Sequence, residues 1–152
     1  MQLDATDRRI LKVLQQEGRI SNAELAERIA LSASACHRRV QRLESDGIIA
    51  RYVALLDPRK IGKQATVYVE IKLNSQSDDV LDAFEKAVRR IPDVLECHLM
   101  AGNADFLLKL MVEDTEDFAR IHRQYLSRLP GVAQMQSSFA LRTVVKTTAL
   151  DI

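Results

Sequence analysis

Apolar residues recur at helical spacing three times within the first 50 positions, and farther on they alternate with polar residues at a period of two. Ile10, Leu11 and Leu14 form the first stripe, with Val13 at its edge, and predict a helix over 4–17. Asp4 is placed to cap it, Asp7 suits the positive end of the helix dipole, and Gly18 stops it. Ser21-Asn22-Ala23-Glu24 has the order of a capping box, in which Ser and Glu satisfy each other's helix-end N–H groups. It predicts a second helix through Ile29 that buries Leu25, Ala26 and Ile29. After the turn Ala30-Leu31, Cys36, Val40 and Leu43 mark a third helix between Ser32 and Gly47. Ser32 or Ser34 can cap its start, and Gly47 supplies the left-handed residue that ends it.

At about 100° per residue, the side of the third helix away from its apolar stripe carries Ser34, Ala35, Arg38 and Arg42, with His37, Arg39 and Gln41 on the flanks. Taken alone, such a helix reads as a solvated basic face. Following two short helices joined by tight turns, it reads as the recognition helix of a helix-turn-helix.

The run Arg51-Tyr52-Val53-Ala54-Leu55-Leu56 is extended in character, a short wing or a connecting strand, and Asp57-Pro58 ends it. Arg59 to Lys63, with Gly62, reads as a linker. The boundary therefore divides a DNA-binding domain over 1–60 from a second domain over 61–152. In the second part, strands are predicted over 65–73, 94–100, 106–112 and 132–145, and helices over 78–91 and 115–129. Arg90-Ile91-Pro92-Asp93-Val94 and Arg128-Leu129-Pro130-Gly131-Val132 lie 38 positions apart, and each ends a helix and opens a strand. Two β-α-β halves joined by a hairpin give β-α-β-β-α-β, a ferredoxin-like unit, and the chain as a whole is α+β. Helices on one side leave the other sheet face open. Phe106-Leu107-Leu108 and Phe139-Ala140-Leu141 alternate poorly, so that face is expected to be apolar and to be covered by a second copy.

Composition sharpens this picture. Of 152 residues, 47% are hydrophobic and 28% charged, which describes a globular chain, and no apolar run approaches the length that spans a bilayer. The start, MQLDATDRR, lacks the basic-then-apolar order of a secretory signal, and Cys36 and Cys97 read as reduced thiols. A cytoplasmic protein is the expectation. The net charge of +1 hides an asymmetry. Residues 1–60 hold eleven Lys and Arg against eight Asp and Glu, a net +3, and residues 61–152 hold eleven against thirteen, a net −2. The basic half suits phosphate, and so small an excess calls for several copies to bind tightly.

LDATDRRIL, GRISNAELAERIALSASACHRRVQRLESDGII, ECHLMAGNADFLLKL and RLPGV together resemble the leucine-responsive regulator and AsnC (Lrp/AsnC) family of bacterial and archaeal transcription factors, over essentially the whole chain. The resemblance implies a plain or winged helix-turn-helix followed by an effector domain that dimerises through its sheet. It implies further that dimers assemble into octamers and bind amino acids or related small molecules between dimers. Ala33 and Ala35 stand where relatives often carry Pro.

For double-stranded DNA the candidates are Ser34, His37, Arg38, Arg39, Arg42 and Arg51. Arg38 is placed to pair bidentately with a guanine edge, whereas Arg39, Arg42 and Arg51 suit phosphate. For an effector the candidates are the turn Gly102, Asn103, Ala104 and Asp105, where glycine lets backbone N–H groups approach a carboxylate and the Asp carboxylate suits an α-ammonium. Gln136 and Ser138, alternating on the last strand, join them through the resemblance. A plain hairpin in which Asp105 caps the turn is the simpler reading of that segment.

Enzyme chemistry finds little footing. Cys97 and His98 are adjacent on a strand and so face opposite ways, and His37, His98 and His122 lack metal-ligand spacing. No cofactor or metal is called for. The reading is a sequence-specific transcriptional regulator tuned by a small effector, an amino acid by preference. The alternatives are an architectural protein that compacts DNA with little sequence preference, and a ferredoxin-like small-ligand domain carrying a degenerate helix bundle.

Overall fold

Asp4 and Asp7 start the first helix by bonding each other's backbone. The Asp4 carboxylate accepts from the Asp7 N–H at 2.8 Å, and the Asp7 carboxylate accepts from the Asp4 N–H at 3.2 Å. This opens α1 (Ala5–Leu14) in the computed structural model, which describes residues 2–152. Helix α1 ends sooner than its apolar stripe suggests, because the Gln16 and Glu17 N–H groups both turn back to the Val13 carbonyl. Ser21 and Glu24 form the capping box of α2 (Asn22–Ile29), and the Ser32 hydroxyl accepts from the Ala35 N–H to start α3 (Ala33–Ser45). Between α2 and α3 the chain reverses at Ala30, the one non-glycine residue with positive φ among the described residues, at 56°. The Asn22 amide ties the turn by donating to the Ala33 carbonyl at 2.9 Å. Ile10, Leu25, Ile29, Cys36 and Leu43 close the core between the three helices.

The segment after α3 enters no strand ladder, and Val53, Leu55 and Leu56 stand exposed along it. A 3-10 turn, Arg59–Ile61, precedes β1 (Ala65–Leu73). There follow α4 (Asp78–Val88), β2 (Val94–Leu99), β3 (Phe106–Val112), α5 (Thr115–Gln124) and β4 (Val132–Phe139), with a 3-10 turn at Leu126–Arg128. The sheet order is β2-β3-β1-β4 with every pairing antiparallel, the ferredoxin-like arrangement expected of the repeat. Ile91 and Leu129, each just before a repeat proline, are both buried in the sheet–helix core. Phe84 of α4 stacks on Phe106 of β3 with ring centroids 4.4 Å apart.

The open face of the sheet differs from expectation. Strand β3 alternates strictly, so Phe106, Leu108 and Leu110 enter the core and only Leu107, Lys109 and Met111 turn outward. Phe139 also faces inward, edge-on to Phe118 at 5.4 Å, and β4 stops there, leaving Ala140 and Leu141 outside the strand. Consecutive apolar residues land on opposite faces because the side-chain period is two. The open face is mixed: Tyr68, Leu107 and Met111 lie among Glu70, Lys72 and a Glu96–Lys109 ion pair of 2.8 Å.

The chain divides into two compact units, and the division is not a single cut. One unit runs to Leu55 and takes back Val144–Ile152; the other spans Leu56–Thr143. Gln15 holds the returning tail with both ends of its amide, donating to the Leu150 carbonyl at 3.0 Å and accepting from the Leu150 N–H at 2.6 Å. Ile152 packs against the helical core.

Gly131, at φ 73°, is a position that favours glycine, since a Cβ there would meet Val80 Cγ1 at 2.8 Å. Gly131→Ala is expected to destabilise the sheet unit by about 1–3 kcal/mol, combining left-handed strain with overpacking. A thermal melt followed by circular dichroism checks this.

Candidate nucleic-acid interface and ligand groove

Helix α3 buries Cys36 and Leu43 and presents Ser34, His37 and Arg38 to solvent. Arg38 makes no ion pair among the described residues, so its guanidinium keeps all its donors. Arg39 and Arg42, three positions apart and hence on one flank, turn instead to the start of α1. Arg39 Nη1 donates to Asp4 Oδ2 at 2.7 Å and to Asp7 Oδ1 at 2.8 Å. Arg42 Nη2 spans both Asp7 oxygens at 2.9 and 2.8 Å. Asp7 itself is 1% exposed. Asp4 and Asp7, which the sequence assigns to the helix cap and the helix dipole, are thus also the partners of two candidate DNA-binding arginines. Their spacing from Arg39 and Arg42, more than 30 positions, carries no local signal. Arg51 is exposed just beyond α3, and nearby the Tyr52 hydroxyl donates to Glu44 Oε1 at 2.9 Å. Burial and the Glu44 carboxylate push the Tyr52 phenol up to about 12.

In the sheet unit the turn 101–105 closes the β2–β3 hairpin, with the Met100 N–H donating to the Asp105 carbonyl at 2.8 Å. Gly102 adopts φ 147°, a conformation that favours glycine. Asp105 turns inward. One carboxylate oxygen accepts from the Leu73 N–H and the other from the Gln76 amide, both at 2.7 Å, and the residue is 5% exposed. Its carboxylate pins the hairpin to the end of β1.

Beside the turn lies a groove of about 390 Å³ lined by Glu70, Ile71 and Lys72 of β1, Asn103 and Ala104 of the turn, and Gln134 and Gln136 of β4. It brings together Asn103, Ala104 and Gln136 from the sequence reading. Ser138 sits two pairs farther along β4, opposite Tyr68, outside the lining. Glu70, Lys72 and Gln134 are the members that reading missed. Their signal was the period-two alternation of β1 and β4, which puts alternate polar residues on the open face.

Cys97 faces the core side of β2, and burial pushes its thiol up, while His98 faces the other way and meets Glu96 Oε2 at 3.2 Å. Cys36 is fully buried and its thiol is likewise raised. No helix among the described residues is long and apolar enough to cross a membrane.

A three-helix unit presenting a basic third helix, coupled to a ferredoxin-like unit with a polar groove, defines a DNA-binding regulator with a ligand-binding module. Comparison with known proteins agrees. Residues 3–50 match the winged helix-turn-helix DNA-binding family and residues 66–150 the Lrp/AsnC ligand binding domain. The leucine-responsive regulatory protein of Klebsiella pneumoniae is 41% identical over 150 residues, which cover 99% of this chain and 92% of that one. A transcriptional regulator of Neisseria meningitidis, solved as its L-methionine complex, is 38% identical with a TM-score of 0.93, over 99% of this chain and 97% of that one. An AsnC family regulator from Agrobacterium tumefaciens is 36% identical with a TM-score of 0.93, over 98% and 97%. The chain belongs to the Lrp/AsnC family of transcriptional regulators. It pairs a helix-turn-helix DNA-binding domain with an effector-binding ferredoxin-like domain.

Asp4 supplies a pH signature for the helical unit. The Asp7 backbone N–H, and then the Arg39 guanidinium, hold its carboxyl at about 2, below the ordinary 3.8. A lowered native pKa means the carboxylate's contribution is complete above the unfolded value and is lost as pH falls from about 3.8 through about 2. The melting temperature is expected to drop across that window, and Asp4→Asn, which keeps a capping side chain, is expected to flatten the drop. Melts of both proteins between pH 5 and pH 2 make the comparison.

Proposed function

We propose that α3 enters the major groove with Arg38 as its base-reading side chain, Ser34 and His37 beside it, and Arg51 on phosphate. The observation that carries this reading is the exposed Arg38 guanidinium, unpaired within the described residues, on the face of α3 opposite its buried stripe. A free guanidinium fork matches guanine O6 and N7, whereas a single charge on an extended segment suits a phosphate oxygen. Arg39 and Arg42 stand at the edge of this surface with their charge shared with Asp4 and Asp7.

The effector is an α-amino acid held in the groove beside the hairpin turn. Lys72 takes its carboxylate and Glu70 its ammonium, with Asn103, Gln134 and Gln136, which also line the groove, as neutral donors and acceptors. Two opposite charges two positions apart on one strand are what a zwitterion requires. Gly102 keeps the turn backbone open to the ligand, and Asp105 fixes the turn from behind. The L-methionine complex of the Neisseria regulator supports the amino-acid class.

Copies associate through the open sheet face, where Tyr68, Leu107 and Met111 offer apolar contact between charged residues, and dimers assemble further into octamers. Several copies supply the DNA affinity that a net +3 per basic half does not. The protein works in the cytoplasm as a regulator without catalysis. The facing of Cys97 and His98 to opposite sides of β2 supports the latter point.

Arg38→Ala is expected to cost about 1–3 kcal/mol on the operator and to relax discrimination against random DNA, whereas Arg51→Ala weakens both alike and lowers the salt slope. Footprinting with non-specific competitor measures the two effects, and equal loss on both DNAs for Arg38→Ala removes it from base reading. For the groove, a thermal-shift series over the amino acids is expected to yield a hit worth about 2.7 kcal/mol at a hundredfold excess over Kd. That shift should vanish in Lys72→Ala. A hit that persists in Lys72→Ala puts the ligand elsewhere.

A further inference from the structure

Three arginines of α3 differ in what they meet in the structure. Arg39 and Arg42 meet two carboxylates of α1 in a four-residue network whose formal charge is zero, while Arg38, one position from Arg39, meets none. The network is built around a buried anchor. Asp7 is 1% exposed and takes a guanidinium N–H on each oxygen from Arg42 and another from Arg39. Asp4 completes it at the surface, its side chain 52% exposed against 28% for Arg39. A DNA phosphate approaching Arg39 therefore meets a fixed carboxylate at the same edge and a cation already neutralised by contact. Release of counterions from DNA drives binding only to the extent that protein cations are available to replace them.

We propose that Asp4 and Asp7 are positioning residues that withhold Arg39 and Arg42 from DNA, so that the recognition helix presents one available guanidinium, Arg38, and not three. The acidic pair acts as built-in competition with phosphate. It lowers sequence-independent binding while leaving the base-reading side chain free, which raises the ratio of specific to non-specific affinity. The buried partner orients the arginines, and the exposed partner sets how much of their charge is available. The proposal rests on α3 being the DNA-binding element.

The test is the salt dependence of binding of the full chain to a random-sequence duplex, with Arg51→Gln, Arg39→Gln and Asp4→Ser compared with the parent. Arg39→Gln leaves the Arg42–Asp7 pair intact, and Asp4→Ser keeps a capping hydroxyl, so both variants retain a partnered or capped α1. Each available arginine contributes about 0.9 to the slope of log K against log salt. Arg51→Gln, at the phosphate contact, is expected to flatten the slope by about that amount per subunit, and Arg39→Gln to leave it unchanged. Asp4→Ser, which turns the network from neutral to +1, is expected to steepen the slope by about 0.9 per subunit and to raise low-salt affinity about threefold or more. A loss of folded protein moves the intercept of such a plot and not its slope, so a merely structural role for the network does not mimic these results. Flattening by Arg39→Gln to the same extent as by Arg51→Gln, or an unchanged slope in Asp4→Ser, overturns the proposal. Absence of salt-dependent binding by the parent chain overturns the DNA-binding reading of α3 instead, which keeps the two failures apart.

Discussion

A carboxylate taken out of water and given two guanidinium partners organises the helical unit. Asp7 begins as a helix cap, and the same side chain reaches α3 through Arg39 and Arg42. A buried carboxylate is costly unless it is paired and hydrogen-bonded, and Asp7 meets that need with both guanidinium groups. That requirement makes the contact an orientational constraint as well as an attraction. The angle at which α3 lies against α1 is fixed by two forks meeting one carboxylate, over a core of Ile10, Leu25, Ile29, Cys36 and Leu43. A carboxylate in the same cluster but open to solvent, Asp4, carries less constraint and more responsiveness.

The sheet unit repeats the theme with a different purpose. Asp105 is also a buried carboxylate, and it spends both oxygens on its own chain, one on the Leu73 N–H and one on Gln76. The charges left facing the groove are Glu70 and Lys72. One acidic residue thus holds the hairpin turn in place, and a different one lines the groove. The distinction matters because a residue that looks exposed and functional in a turn-rich sequence can be the turn's internal fastening.

The elements themselves were legible because their signals are local. Capping residues at Asp4, Ser21 and Ser32 each sit at a helix start, the run Ala65–Leu73 alternates as a half-buried strand must, and the paired Ile-Pro and Leu-Pro junctions exposed the β-α-β repeat. What could not be read depended on contacts between distant residues. Arg39 meets Asp4 and Asp7 across more than 30 positions, Asp105 meets Leu73 and Gln76 across a similar gap, and neither pairing leaves a mark in local periodicity. The open face was misjudged for another reason: neighbouring apolar residues in β3 suggested a greasy surface, although the pleat sends them to opposite sides. The end of β4 was overestimated because β-branched residues continue to Val145 after the ladder has run out of partners at Phe139.

The grip of Gln15 on Leu150 has a bearing on how the chain reaches its final form. Those residues are 135 positions apart, and closing so long a loop directly carries an entropic cost that local contacts do not face. The intervening sheet removes much of it. Val67 pairs with Phe139, so once β1 and β4 are zipped together the tail emerges beside the point where the chain entered. The tail therefore docks at the lowest entropic cost when it comes late: β1 and β4 pair first, and the last residues then complete a unit begun at the front.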